Sequence, residues 1–256
     1  MRKRKFTFAQ LSMITIILLA GCTPRPEGII FVDLKAPPRG GDGNSWGRAF
    51  NDLQVAIDKA VPGNEVWVAA GIYTPTRKIG GNGERHKSFE LKNGVQVFAG
   101  FKGTETRRGE RNWQTNMTIL SGDLKANDEG SRNHGDNSYH VVTGNNTDTS
   151  AVIDGFTIMG GNADNKVWPD DGGGGMNNYN GSPTVRNCTF TANWAFADGG
   201  GMRNWGSTRE QHKTQGTNPV PPKQSVHDLT PVRGGLHHDR LAKAFAMRWC
   251  ADTRRR

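Results

Sequence analysis

The chain has 256 residues, of which 34 are Gly and 12 are Pro, with 34% hydrophobic residues and a formal net charge of +9. Gly at roughly twice its ordinary usage weakens helix interiors and argues against a helical bundle, and its failure to recur at every third residue excludes collagen. A single sustained apolar run, near the N-terminus, excludes a polytopic membrane protein. The charge is unevenly placed: residues 1–21 carry +4, residues 22–207 carry −1 and residues 208–256 carry +6. The basic excess therefore lies in two terminal pieces. No nucleic-acid partner is expected, because that would need cations clustered on a folded face.

Met1 to Lys5 is a basic n-region, and Leu11 to Ala20 is an apolar segment too short to span a bilayer comfortably. Leu19-Ala20-Gly21-Cys22 follows and resembles the bacterial lipoprotein lipobox. The resemblance implies that residues 1–21 are a signal peptide and that Cys22 is the lipid-attachment site, with residues 22–28 as a tether. It implies a membrane partner through the acyl chains, since several chains anchor stably where one is marginal. Thr23 stands where an Asp would retain such a protein at the inner membrane, so the outer membrane or cell surface is expected.

Ile29 to Asp33 reads as a first strand, followed by a Gly-rich loop from Gly40 to Gly47. Phe50, Leu53, Ala56, Ile57 and Ala60 recur at helical spacing, with Asn44 or Ser45 as the candidate cap and Pro62-Gly63 as the stop. Glu65 to Tyr73 reads as a strand and a bend. Short β-prone runs then cover Ser88–Leu91, Val95–Phe101, Thr118–Leu120, His140–Thr143, Val152–Ile158 and Thr184–Phe190. No second helix joins them, which excludes a doubly wound sheet.

Two internal repeats follow. Ile153-Asp-Gly-Phe-Thr-Ile-Met-Gly-Gly-Asn-Ala163 aligns with Val185-Arg-Asn-Cys-Thr-Phe-Thr-Ala-Asn-Trp-Ala195, and Gly173 to Ser182 aligns with Gly199 to Ser207 with one gap. Val185, Cys188 and Phe190 are expected to point inward, and Arg186 outward. Asn at the bends tolerates left-handed backbone, and its amide can stack on the turn below. Units that bury their apolar face only against neighbours are stabilised by stacking. The segment from Phe31 to Thr76 is similar to the opening of bacterial right-handed parallel β-helix proteins of the pectin-lyase-like superfamily. The Gly-Gly-Gly-Met units and Phe190-Thr-Ala-Asn193 resemble repeats of polymorphic outer-membrane proteins. The resemblance implies an all-β right-handed parallel β-helix over residues 29–207, with the amphipathic helix capping its N-terminal end.

After Ser207 the repeat pattern stops. Residues 208–256 read as a basic tail, either disordered or out of frame, and the β-helix as truncated at its C-terminal end. Ala242–Trp249 is a candidate short helix. His237-His238 is not a convincing metal site, and a Cys188–Cys250 disulfide is not expected.

Lyases of this superfamily hold Ca²⁺ on Asp residues and carry Trp-x-Asp-His and Arg-x-Pro-x-x-Arg signatures; neither occurs here, and Trp168-Pro-Asp-Asp171 lacks the His. Asp164, Asp170 and Asp171 are the candidate Ca²⁺ donors, with solvated turn residues as the simpler alternative. Beyond Ca²⁺ no cofactor is expected. His134 and His140 flank Asp136 in an arrangement compatible with acid–base chemistry or with ordinary loop histidines. Trp67, Trp113, Trp168, Trp194 and Trp205 are candidates for stacking on sugars, Trp67 and Trp194 being equally suited to packing. The leading expectation is a non-catalytic adhesion or glycan-binding module at the cell surface. The alternatives are a polysaccharide lyase or hydrolase, and a truncated product without activity.

Overall fold

The computed structural model describes residues 28–37 and 41–206. The expected signal peptide, Cys22, the tail 208–256 and with it Cys250, His237, His238 and the Ala242–Trp249 segment lie outside the described residues. Within them the chain is all-β, with a single α-helix. In order come β1 (Ile29–Val32), α1 (Leu53–Lys59), β2 (Glu65–Ala69), β3 (Gly71–Tyr73), β4 (Phe89–Glu90), β5 (Gln96–Phe101), β6 (Thr118–Ser121), β7 (Val142–Thr143), β8 (Val152–Asp154), β9 (Phe156–Met159), β10 (Asn162–Ala163), β11 (Met176–Tyr179), β12 (Thr184–Arg186), β13 (Thr189–Thr191), β14 (Trp194–Ala195) and β15 (Met202–Trp205).

These strands form four open sheets, with orders β1-β2-β5-β8-β12, β3-β6-β9-β13, β4-β7-β11-β15 and β10-β14. The pairings between them are parallel. The chain visits the first, second and third sheets in succession and then returns to the first. β5-β6-β7, β8-β9-β11 and β12-β13-β15 are three such circuits. The repeats seen in the sequence are the strand register. Ile153 pairs with Val185, Thr157 with Thr189 and Ala163 with Ala195, while Met176 pairs with Met202 and Tyr179 with Trp205.

α1 begins about two turns later than Asn44 or Ser45 would have it. Its cap is Asp52, whose carboxylate accepts the backbone N–H groups of Gln54 at 2.8 Å and Val55 at 3.1 Å. Ser45 instead precedes a 3-10 turn at Trp46–Arg48 and makes no side-chain cap. A helix of seven residues has little stability of its own. It is held by burying Leu53, Ala56 and Ile57 in a core shared with Val32, Val66, Val97, Leu120, Ile153, Phe156, Ile158, Met176 and Cys188.

The first sheet is buried on both faces at its N-terminal end, which explains the near-continuous apolar runs of β1, β2 and β5. Its outer face carries Phe31, Trp67, Phe98 and Phe101, with Trp67 stacked on Phe101 at 4.7 Å between centroids. Further along, Asp154 takes Phe98's place in the register. It is 4% exposed and holds Arg111 Nη2 at 2.9 Å and Asn187 Nδ2 at 2.9 Å.

The bends between sheets recur at matched positions. Gly155 (φ +90°) and Asn187 (φ +50°) turn the chain between the first and second sheets, and Gly160 (φ +74°) and Ala192 (φ +50°) do so after the second. A Cβ on Gly155 would also meet Arg111 Nη1 and Trp113 Cβ at 3.0 Å. Ala192 carries its Cβ in the same left-handed region, at an intrinsic cost of about 1–2 kcal/mol. Gly155→Ala should therefore destabilise by about 1–2 kcal/mol, whereas Ala192→Gly should stabilise by about 1 kcal/mol. Urea unfolding of both variants measures this, and equal effects of one sign would contradict it.

Val185 and Phe190 pack against the core and Arg186 is exposed, as the repeat requires. Cys188 is a free, buried thiol, and burial pushes its pKa up to about 12. Iodoacetamide at mildly alkaline pH should leave the Cys188 peptide unmodified in the folded protein and label it after denaturation, as read by peptide mass mapping. Labelling in the native state would place this thiol at the surface.

Candidate ligand-binding face

The outer side of the third sheet is where polar and aromatic groups converge. Along β11 and β15, Met176 and Met202 face the core, so Asn177, Arg203, Tyr179 and Trp205 face outward. The segment from Asp164 to Gly172 lies over the inner part of this surface. Arg203, 7% exposed, donates to Asp171 Oδ1 at 2.7 Å, the Pro169 carbonyl at 2.6 Å and Asn177 Oδ1 at 3.1 Å. At the rim, Trp168 packs edge-on against Tyr179 at 5.2 Å between ring centroids. Tyr179 and Trp205 are register partners on adjacent strands. Trp168 is 52% exposed and Trp205 56%. Three aromatic side chains thus form one partly exposed strip beside a buried charge network.

The same segment reaches a second cluster. Asp170 lies 3.3 Å from His86 Nε2 and 3.7 Å from His140 Nε2, all three side chains being largely buried. Asp164 binds Arg85 at 2.6 Å. Arg85 also donates to the Asn137 and Asn162 carbonyls and stacks over Tyr139, 4.0 Å from the ring centroid. Asp164, Asp170 and Asp171 are therefore neither solvated turn residues nor a converging oxygen cage: each is held by a different base. Burial acts to raise the pKa of Asp170, but the adjacent imidazoles of His140 and His86 and the Asn165 amide outweigh it and hold the carboxyl below its ordinary value of about 3.8.

Among the described residues, the acidic groups close enough to share an ion are Asp123, Asp128 and Asp136, in the loop between β6 and β7. No sequence motif singles out the first two. Their visible signal was the density of Asp and Asn between positions 123 and 137, diluted by irregular spacing. His134 sits by this group, with Nε2 3.9 Å from Asp128 Oδ2. His140 does not, because its ring faces Asp170 and the Gly173 carbonyl. The arrangement of His134, Asp136 and His140 as one acid–base unit is therefore not formed.

Of the candidate tryptophans, Trp67 is a core residue at 1% exposure, and Trp113 is half-buried beneath Arg111. Trp194, equally suited to packing on its sequence, is 48% exposed on β14. A groove between α1 and the bend at Asn145 is lined by Asp58, Arg77, Glu90 and Lys92. Arg77 pairs there with both Glu90 and Asp58, and Lys92 donates to the Asp58 and Ala60 carbonyls. No helix among the described residues is long and apolar enough to cross a membrane. No protein-family model matches the chain, and no curated protein or solved structure matches it significantly.

The sign of the pH dependence follows from Asp170. A carboxyl whose pKa is lowered by folding contributes stability above its unfolded value, and that contribution is lost as pH falls through the lowered value. Urea unfolding at about pH 6 and about pH 3 should show the gap between wild type and Asp170→Asn shrinking on acidification. A gap unchanged across that range would mean that the histidines do not stabilise the carboxylate.

Proposed function

We propose that the protein is an exported, lipid-anchored surface module whose sheets are the faces of a right-handed parallel β-helix, and that it binds extended glycans without cleaving them. The repeated circuit through three parallel sheets supports the β-helix, and right-handed crossovers between parallel strands are the rule. The lipobox-like Leu19-Ala20-Gly21-Cys22 supports the anchor. The aromatic strip of Trp168, Tyr179 and Trp205 carries the binding function. Exposed aromatic faces in a row match the apolar faces of successive sugar rings, and Tyr and Trp present a large area at low cost in side-chain entropy. The flanking Arg and Asp residues are tied to one another, which rigidifies the strip and leaves none of those described here, Arg203, Asp171, Asp170 and Asp164, as a free catalytic base.

Affinity electrophoresis in gels containing polygalacturonate or a neutral β-glucan tests this. Trp168→Ala and Trp205→Ala should each weaken retardation by at least about fivefold in the gel that retards the wild type. Trp194→Ala, on another sheet, should leave it unchanged. Unretarded wild-type protein in both gels would overturn the glycan assignment. Chelator-sensitive cleavage of polygalacturonate would establish the lyase instead.

A further inference from the structure

The loop between β6 and β7 gathers three carboxylates, and the one ammonium that reaches them, from Lys125, is largely exposed. The Asp123 carboxylate folds the loop around itself: Oδ1 accepts the N–H groups of Lys125 and Asn127 at 3.3 and 3.2 Å, and Oδ2 accepts that of Asp128 at 3.0 Å. Asp128 and Asp136 project toward it, so that one carboxylate oxygen from each residue lies within 4.8 Å of the others. Asp136 Oδ2 takes the Asn127 amide at 3.2 Å and the Lys125 ammonium at 3.3 Å, but that lysine is 69% exposed and strongly screened. His134 stands 3.9 Å from Asp128, beyond hydrogen-bond reach. Asp154, Asp164 and Asp171, by contrast, each have an arginine within 3 Å.

A second feature is independent of the charges. Asn137 is 1% exposed, and its carboxamide is aimed into the cluster, with Nδ2 2.8 Å from Asp128 Oδ2. The Oδ1 of the same planar amide has no hydrogen-bond partner. Asp128 Oδ1 and Asp136 Oδ1 are likewise buried and unpartnered. Buried acceptors without donors are costly, and three such oxygens beside the Asp123 carboxylate make an all-oxygen setting that suits a hard cation.

We propose that Asp123, Asp128, Asp136 and the Asn137 carboxamide oxygen form a Ca²⁺ site that orders the β6–β7 loop. All the donors are oxygens, and an irregular loop suits the flexible six- to eight-fold coordination of Ca²⁺ better than the strict octahedron of Mg²⁺. Ordering the loop also steadies its neighbours. The Asn162 amide donates to the His134 carbonyl at 2.9 Å, and Arg85 donates to the Asn137 carbonyl at 2.7 Å. The site does not depend on the glycan-binding strip.

Isothermal titration of the purified full-length chain, stripped with chelator, tests the site with CaCl₂ and with MgCl₂, alongside thermal melts in Ca²⁺ and in chelator. The wild type should bind Ca²⁺ more tightly than Mg²⁺ and melt higher in Ca²⁺. Asp128→Asn and Asp136→Asn should each lose about tenfold or more in Ca²⁺ affinity. In chelator Asp128→Asn should melt at or above the wild-type temperature, because the neutral amide removes like-charge repulsion; this separates loss of a ligand from misfolding. No Ca²⁺ binding by the folded wild type would overturn the proposal. So would wild-type affinity in both variants, or equal affinity for Mg²⁺.

Discussion

Each circuit of this chain has to pass its bends in the same backbone conformation as the circuit beside it. The strands are short, the longest among the described residues being the six of β5, and strands of two to six residues have no stability in isolation. They exist because a parallel partner lies beside each one, and the partner is in place only if the bends coincide. That is why left-handed residues recur at matched positions: Gly155 with Asn187, Gly160 with Ala192, Gly173 with Gly199, Asn180 with Gly206. Where a side chain must stand in such a bend it is most often Asn, whose short amide tolerates the conformation and bonds locally. Asn187 does both, turning the chain and holding the buried Asp154 of the neighbouring circuit.

The repetition made part of the fold legible. Like residues stack on like residues, so a sequence aligned with itself is a strand register, and the pairings of Ile153 with Val185 and Met176 with Met202 were readable before any coordinates. What escaped was polar. β10, β11, β14 and β15 contain Asn162, Asn177, Asn178, Arg203 and Asn204. None of these has strand propensity by composition. Asn178 and Asn204 are nonetheless paired through an amide hydrogen bond of 2.7 Å on the inner face, and Arg203 is buried by the loop above it. Period-two hydrophobicity cannot see a strand whose interior contact is an amide stack.

The candidate site residues were legible in proportion to how local their contacts are. Trp168 and Trp205 stood out as aromatics, but Tyr179, which joins them, is recognisable only through the register of β11 on β15. Asp164, Asp170 and Asp171 looked like a donor cluster because they are close in sequence. In space each turns to a base from a distant segment: Arg85, His86 with His140, and Arg203 respectively. The acidic group that does converge spans fourteen positions, from Asp123 to Asp136, and only the hydrogen bonds folding that loop bring it together.

The register also makes the length of such a chain a quantised variable. A crossover between the gene segments encoding Ile153–Ala163 and Val185–Ala195 removes or adds one complete circuit, and the strands on either side still meet with their bends aligned. A deletion of part of a circuit within these strands and bends puts Gly or Asn where a side chain must pack and a packed residue where the backbone must turn left-handed. Slippage of the strands by whole units is therefore tolerated and slippage by fractions is not, so inheritance can lengthen or shorten the stack of sheets in discrete steps without redesigning the core.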